Sequence, residues 1–383
     1  MNLELINSIK QLEKIEFQWE ELLLKSQSND FFLQPKYFFA WWSVFGKNKE
    51  LFFIALWDKK VLRALFPLYK KKKGPFVLIN FAGQPRHSDR MDFILDPLYE
   101  HECLKQFAHW IFTQKNWDLL NLKNFGPFTK NPEKLYNIFE QMGKKSIKAL
   151  EKISCYIDTE KYKTYDNYLK KVRSARTRQK LRSYKRKLNS YRHTEWEILN
   201  NLGKKLIDEM EELELKKSFR GKNNLCFFNG PLNKKFLIKL TKNFQNTKMI
   251  ELLALRINGE LCAYQFNFNY NNSCMVYQTA FNMKFAKLSA GIVTQLESIN
   301  HIFKNGYKEY DFLNGSELYK YDWTDDFRQE RRLLVYNDGL LSLLIYIYHK
   351  KIKPLRRMLK NNKFIEKFLI KILSPELIAK LDI

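Results

Sequence analysis

The richest chemistry in the chain lies between Tyr277 and Trp323. The segment Tyr310-Asp311-Phe312-Leu313-Asn314-Gly315-Ser316-Glu317-Leu318-Tyr319-Lys320-Tyr321-Asp322-Trp323 sets acids, tyrosines, a lysine and a tryptophan just past an apolar run. Groups at the carboxyl end of a strand are where α/β sheets tend to hold ligands. The same residues also read as a loop folded back on its sheet, with Asp311 capping and Trp323 in the core. Upstream, Ser289-Ala290-Gly291 opens a run in which Ile292, Val293, Leu296, Ile299, Ile302 and Phe303 recur at helical spacing. Ser289 is suited to N-cap this helix, and Gly306 to end it. Unsatisfied N–H groups and the positive end of the helix dipole make such a first turn a place for phosphate. A well-capped helix start of no further function has the same sequence.

The elements that must position these groups follow from periodicity. Strands are expected at Met249–Ile257 and Leu261–Tyr270, joined by the hairpin signal Asn258-Gly259. A third strand, Cys274–Phe281, leads into the helix Ala290–Asn305, and Tyr307–Leu313 returns as a strand. The first half shows a similar order: strands at Leu51–Trp57, Val61–Tyr69, Phe76–Phe81 and Met91–Leu95, a helix over Pro97–Gln114, and a strand at Trp117–Leu122. Two helices, Glu13–Lys25 and Pro35–Phe45, precede these, and the N-terminal stretch reads as an amphipathic helix with no signal peptide. The repeat is one of element order, and its boundary falls near residue 150. The fold class expected is α/β (α+β), each half a mixed, mostly antiparallel sheet flanked by helices.

Between the halves, Thr164–Asn189 is expected to form one long helix with a thin apolar stripe of Leu169, Val172, Leu181 and Leu188. From Lys170 to Arg192 it holds eleven Lys or Arg and no acid. Such a run is either a solvated face or a docking surface for an acidic polymer, RNA included. The formal net charge of +26 points the same way, to an anionic partner. A Lys- and Asn-rich composition bias explains part of it without any ligand. Residues 341–383 are a basic amphipathic tail, which either makes peripheral membrane contact or, more commonly, packs its apolar face on its own domain. No run is long enough to span a bilayer. Five dispersed cysteines make neither a zinc pattern nor a disulfide framework, so a reducing, cytoplasmic setting and no metal are expected.

The sequence lacks G-x-G-x-x-G, the Walker lysine loop, G-x-S-x-G and H-E-x-x-H. What it does hold resembles the GNAT N-acyltransferase superfamily, and within it the CelD/BcsL-type (cellulose-synthesis-associated) acetyltransferase-like domain. The resemblance is carried by Asn258–Phe268 (NGELCAYQFNF), Leu288-Ser289-Ala290-Gly291, Gly306, Tyr310-Asp311-Phe312, Gly315, Tyr319-Lys320 and Trp323. In the first half Phe31-Phe32-Leu33-Gln34, Trp41-Trp42, Pro67-Leu68, Gly83, Asp89 and Asp92 fit as well. Ala290 stands where that family often has proline, and the usual Gln/Arg-rich pyrophosphate loop is missing.

The resemblance implies two tandem GNAT-like acyltransferase folds: residues 1–150, and 151–340 with the Arg/Lys-rich helix 164–189. It implies acetyl-CoA or another acyl-CoA as co-substrate and an amino sugar or other small amine as acceptor. Thr279, Ala280 and Phe281 would pair with the pantetheine arm and offer an N–H to the oxyanion. Ser289, Ala290, Gly291 and Ile292 would hold the pyrophosphate. Asp311 or Glu317 would take the amine proton and Tyr319 would return one to the thiolate. Lys320, Trp323, Asp89, Asp92 and Arg176 would contact substrate. The chain is also similar, more distantly, to FemA/B/X-type aminoacyl ligases, for which the donor would be aminoacyl-tRNA lying on the basic helix. A catalytically idle module that binds polyanions is the third reading.

Overall fold

The computed structural model describes residues 1–84, 87–219, 226–315 and 317–355. Contacts divide the chain into two compact units, neither of them one continuous stretch. The first holds residues 1–29, 46–151 and those from Glu330 onward; the second holds 30–45 and 152–329. Both are mixed α/β, with mostly antiparallel strands and flanking helices.

In the second unit, strands Thr194–Leu199, Ile250–Ile257, Glu260–Tyr270 and Ser273–Phe281 follow one another antiparallel. The hairpin at Asn258-Gly259 forms as expected, with both residues at positive φ. Glu309–Asn314 then pairs parallel with Ser273–Phe281, and Ser154–Asp158 pairs antiparallel with Glu309–Asn314. The helix Ala290–Lys304 makes the crossover between the parallel strands and buries Val293, Leu296, Ile299 and Ile302, the spacing read from sequence. On the other side an aromatic cluster forms. Phe31 stacks on Phe268 at 4.2 Å, and Phe268 lies 4.5 Å from Tyr277. These contacts place Phe31-Phe32-Leu33 and the helix Pro35–Phe45 in the second unit, whereas sequence order had assigned them to the first half.

The long basic helix is two helices, Tyr165–Val172 and Ala175–Asn189. Thr164 and Ser174 each accept from a backbone N–H three residues on, at 3.2 Å in both cases. Ser174 thus competes with helix continuation by capping a new one, which intrinsic charge and periodicity do not reveal. Strand Thr194–Leu199 and the long strand Ser146–Asp158 lack a clean apolar run and were not foreseen.

The first unit repeats the crossover. Phe76–Phe81 and Leu119–Phe125 are parallel, joined through the helix Glu100–Thr113. Val61–Tyr69 is not one strand. Proline cannot donate to a ladder, so Pro67 divides it into Val61–Phe66 and Leu68–Lys73, which enter different sheets. The N-terminal stretch is strand Asn2–Ile6, paired with Phe53–Asp58, before helices begin at Ile9. Phe327–Tyr336, also unforeseen, pairs from Arg331 onward with Leu119–Phe125. Beyond Asn80 and Asn121 the parallel pairing stops, and residues 87–92 act as a plug there, Met91 bridging to Phe125. Met91 N–H donates to the Asn124 carbonyl at 2.8 Å and Met91 carbonyl accepts from Gly126 at 3.2 Å. Gln84 and Asn124 side chains both donate to the Ser88 carbonyl.

Asp92 anchors this plug. Its carboxylate accepts from Ser28, from Asn131 Nδ2 at 2.9 Å and from the Phe93 N–H at 2.8 Å. Burial raises its pKa to about 6, against the pull of these hydrogen bonds. Folding therefore favours the protonated form, against about 3.9 for an unfolded Asp. Its stabilising contribution is complete below pH 4 and is lost as pH rises through about 6. Asp92→Asn, a neutral isostere, is expected to raise stability at pH 7 by on the order of 2–3 kcal/mol. It should also flatten the difference between pH 4 and 6, as read from urea midpoints across that range.

Candidate functional site

The parallel strands of the second unit pair at Ser273/Glu309, Cys274/Tyr310 and Met275/Asp311, and then diverge. From Val276 onward this strand no longer pairs with Glu309–Asn314. A β-bulge at Phe266/Asn267 throws Tyr277 out of the alternation at the same point. The notch so formed lies between the Ser273–Phe281 strand on one side and residues 312–315 on the other.

The second wall is held under strain. Leu313 sits at φ 54°, an uncommon place for a bulky residue that costs about 1–3 kcal/mol. Three groups hold it there. Asp311, fully buried, accepts from the Leu313 N–H at 2.7 Å and lies 3.8 Å from Arg328. Lys320, also buried, donates to the carbonyls of Leu313, Asn314 and Gly315 at 3.3, 2.9 and 3.4 Å, and pairs with Glu317 at 2.9 Å. Gly315, at φ 126°, takes a backbone conformation that L side chains rarely adopt, with the Glu317 carboxylate beside it. Asp311 and Lys320 are thus committed to the backbone of the wall. Neither reaches outward, so the expected roles as base and as substrate-anion contact do not suit their positions.

Glu317 differs, with its side chain 48 % exposed at the end of the strand. Tyr319 is half-buried against Phe312, 6.5 Å between ring centres. Trp323 is in the core, beneath the Arg173 guanidinium at 4.8 Å, and its carbonyl accepts from Tyr168 Oη at 2.7 Å. That is the core reading of Trp323, not the substrate-contact one. Asp89 and Asp92 belong to the first unit, where Asp92 is consumed by the plug.

Across the notch, Thr279 Oγ1 donates to the Tyr264 carbonyl at 3.1 Å, Ala280 is buried and Phe281 half-buried. The turn expected before the helix is a 3₁₀ helix, Met283–Leu288, capped by Asn282. Ser289 does not cap: it takes a left-handed conformation at φ 56° and its side chain makes no capping bond. A Cβ on Gly291 would meet the Phe281 ring at 2.7 Å, so this glycine serves ring–helix packing. Ala290 is buried, while Ile292 is 43 % exposed and presents the open part of the first turn.

The basic helix Ala175–Asn189 packs beside this turn. Leu181 and Leu188 face the core, Lys185 pairs with Glu297 at 2.6 Å, and Lys187 donates to the Lys287 carbonyl at 3.4 Å. Its outer face lines an open groove of about 880 Å³, formed by Gln179, Arg182, Lys185, Arg186, Asn189 and Ser190. Arg176 is exposed in the first turn, whereas Arg178 folds back on the Arg173 carbonyl at 2.6 Å.

One functional candidate escaped sequence reading. Glu214, fully buried in the π-helical turn Leu213–Lys217, accepts from Gln278 Nε2 at 2.6 Å and from the Phe227 N–H at 2.9 Å. It ties the turn after the helix Lys204–Glu212 to the diverging strand. In sequence it is one acid among several in a charged helix; only the π-turn, a frequent mark of functional sites, sets it apart. Among the described residues no cluster of His, Cys, Asp or Glu is arranged to hold a metal, and no helix is long and apolar enough to cross a membrane.

Residues 175–321 match the sequence profile described as an acetyltransferase (GNAT) domain. No curated protein matches the chain in sequence. Among solved structures it is similar to a crystal structure of FemX, at 10 % identity and TM-score 0.63, over 90 % of this chain and 100 % of that one. A conserved protein of unknown function from Bacteroides thetaiotaomicron is similar at 14 % identity and TM-score 0.54, over 88 % and 100 %. At such identities the likeness is one of fold. The match to a GNAT domain is thus carried by residues 175–321, and the mixed α/β fold is of the kind seen in tandem GNAT-like proteins.

Lys320→Met should leave three carbonyls of the strained wall without their donor. A loss of about 1–3 kcal/mol in urea denaturation is expected, with the fold otherwise retained.

Proposed function

We propose that the second unit transfers an acyl group from an acyl-CoA to a primary amine of an amino sugar or other small metabolite. The single observation behind this is the divergence of two parallel strands after Met275 and Asp311. The strand beyond Met275, where it leaves Glu309–Asn314, suits an extended amide-bearing arm such as pantetheine, which would add to the strand edge. An N–H of the same edge would stabilise the oxyanion of the tetrahedral intermediate. The acceptor nitrogen attacks the thioester carbonyl and gives its proton to the Glu317 carboxylate, directly or through water. The intermediate then collapses, the C–S bond breaks, and the departing thiolate takes a proton from Tyr319. Glu214 is assigned a positioning role, holding Gln278 and the Phe227–Asn229 turn. The diphosphate is assigned to the open N–H groups near Ile292 and the cations of the basic groove. Affiliation with the CelD/BcsL-type branch belongs to the same proposal.

A second reading has an observation in its favour. Phe281 covers Gly291, and the groove on Arg182, Lys185 and Arg186 is open. A polyanion such as an aminoacyl-tRNA would use that groove more fully than a diphosphate does.

Titration calorimetry with acetyl-CoA, longer acyl-CoAs and an aminoacyl-tRNA separates the two. Ile292→Glu places a negative charge at the helix N-terminus, where it does not weaken the helix itself. Acyl-CoA affinity is expected to fall at least tenfold in this variant with an unchanged melting temperature. Unchanged affinity would remove the diphosphate site from this turn. Arg182→Glu with Arg186→Glu should weaken tRNA binding steeply and make its salt slope shallower. Binding of tRNA alone, with no heat from any acyl-CoA, would replace the first reading by the second. Once an acceptor is known, Glu317→Gln should lower kcat/KM by about 10²–10⁴-fold and remove the acidic limb of its pH profile.

A further inference from the structure

The last described helix, Leu340–Ile347, runs on as a π-helical turn through Ile352. One side of it is part of the first unit's core. Ile345 and Tyr348 pack with Phe76, Leu78, Leu119, Leu334 and Tyr336, and His349 Nδ1 lies 2.8 Å from Tyr336 Oη. The opposite side is also apolar, which is unusual for a helix already packed on its sheet. Leu340, Leu343, Leu344 and Ile347 recur at the i, i+3, i+4, i+7 spacing of one helical face and are all exposed, Leu340 at 74 % and Leu344 at 49 %. Exposed aliphatic residues scattered singly are ordinary; four in a row along one helix face are not.

Charge decides what covers them. Lys350 and Lys351 are exposed directly after the apolar row. In the sequence no acid occurs between Asp338 and Glu366, while seven Lys or Arg do. A second copy of this chain would bring the same cations to the same place and be repelled. An anionic surface would attract these cations, while the leucines enter the acyl boundary. We propose that the outer face of helix Leu340–Ile347, with the cations that follow it, is a docking surface for anionic phospholipid, holding the protein on a bilayer without spanning it. The inference is independent of the acyl-transfer reading.

The test is co-sedimentation of the full-length chain with phosphatidylcholine vesicles and with vesicles containing one third phosphatidylglycerol, at low and high salt. Binding to the anionic vesicles is expected, weakened by salt, with at least tenfold less on neutral ones. Leu340→Ser, Leu344→Ser and Ile347→Ser together should reduce it at least tenfold, with an unchanged circular dichroism spectrum because all three side chains are exposed. Equal binding by this variant would overturn the proposal, as would equal binding to both vesicle types. Absence of vesicle binding would overturn it too, and sedimentation velocity would then name the occupant. A dimer lost in the triple variant would mean a second copy.

Discussion

The second unit depends on two parallel strands that stay together for three residue pairs and then part. Hydrogen bonding favours continued pairing, so the separation has to be held. It is held by a buried carboxylate and a buried ammonium acting on backbone: Asp311 receives the Leu313 N–H, and Lys320 gathers three successive carbonyls. Together they keep Leu313 in a left-handed conformation that a leucine does not adopt unaided. A bulge in the neighbouring hairpin turns the other strand away at the same level. Charges that sequence alone offered as chemistry are here the means of keeping a cleft open.

The first unit shows what happens when the same plan is not held open. Its parallel strands, Phe76–Phe81 and Leu119–Phe125, also stop pairing after three residues. There the chain itself returns at residues 87–92, and Met91 exchanges hydrogen bonds with the far strand. Within it the Asp92 carboxylate accepts from Ser28, Asn131 and the Phe93 N–H. One crossover unit thus carries an open notch and the other a filled one, from the same order of strands and helix.

Electrostatics follows the same division between structure and surface. Many cations of the second unit are spent locally: Arg178 on a carbonyl, Lys185 on Glu297, Arg256 on Glu197 and Glu209. Those that line the groove, Arg182 and Arg186 among them, are exposed beside the start of the crossover helix. Net charge therefore overstates the exposed basic surface, which the arrangement of a few residues defines.

The amino-acid sequence determined the elements whose signals are local. The Asn258-Gly259 hairpin, the helix with apolar residues from Ile292 to Ile302 and the strands around them were legible because turn chemistry and a 3.6-residue period act over neighbouring residues. The order strands–helix–strand, and with it the class of fold, followed from those. Tertiary structure decided the rest. Ser289 has the residue type of a cap but not the geometry, Gly291 answers to the Phe281 ring, and Phe31 joins the second unit by stacking on Phe268. Lys320 looks like a ligand contact and is a strut, while Glu214 looks like a surface acid and is buried at the diverging strand. Such assignments depend on partners tens to hundreds of residues away, and whether a charge faces water or a carbonyl is settled only when those partners arrive.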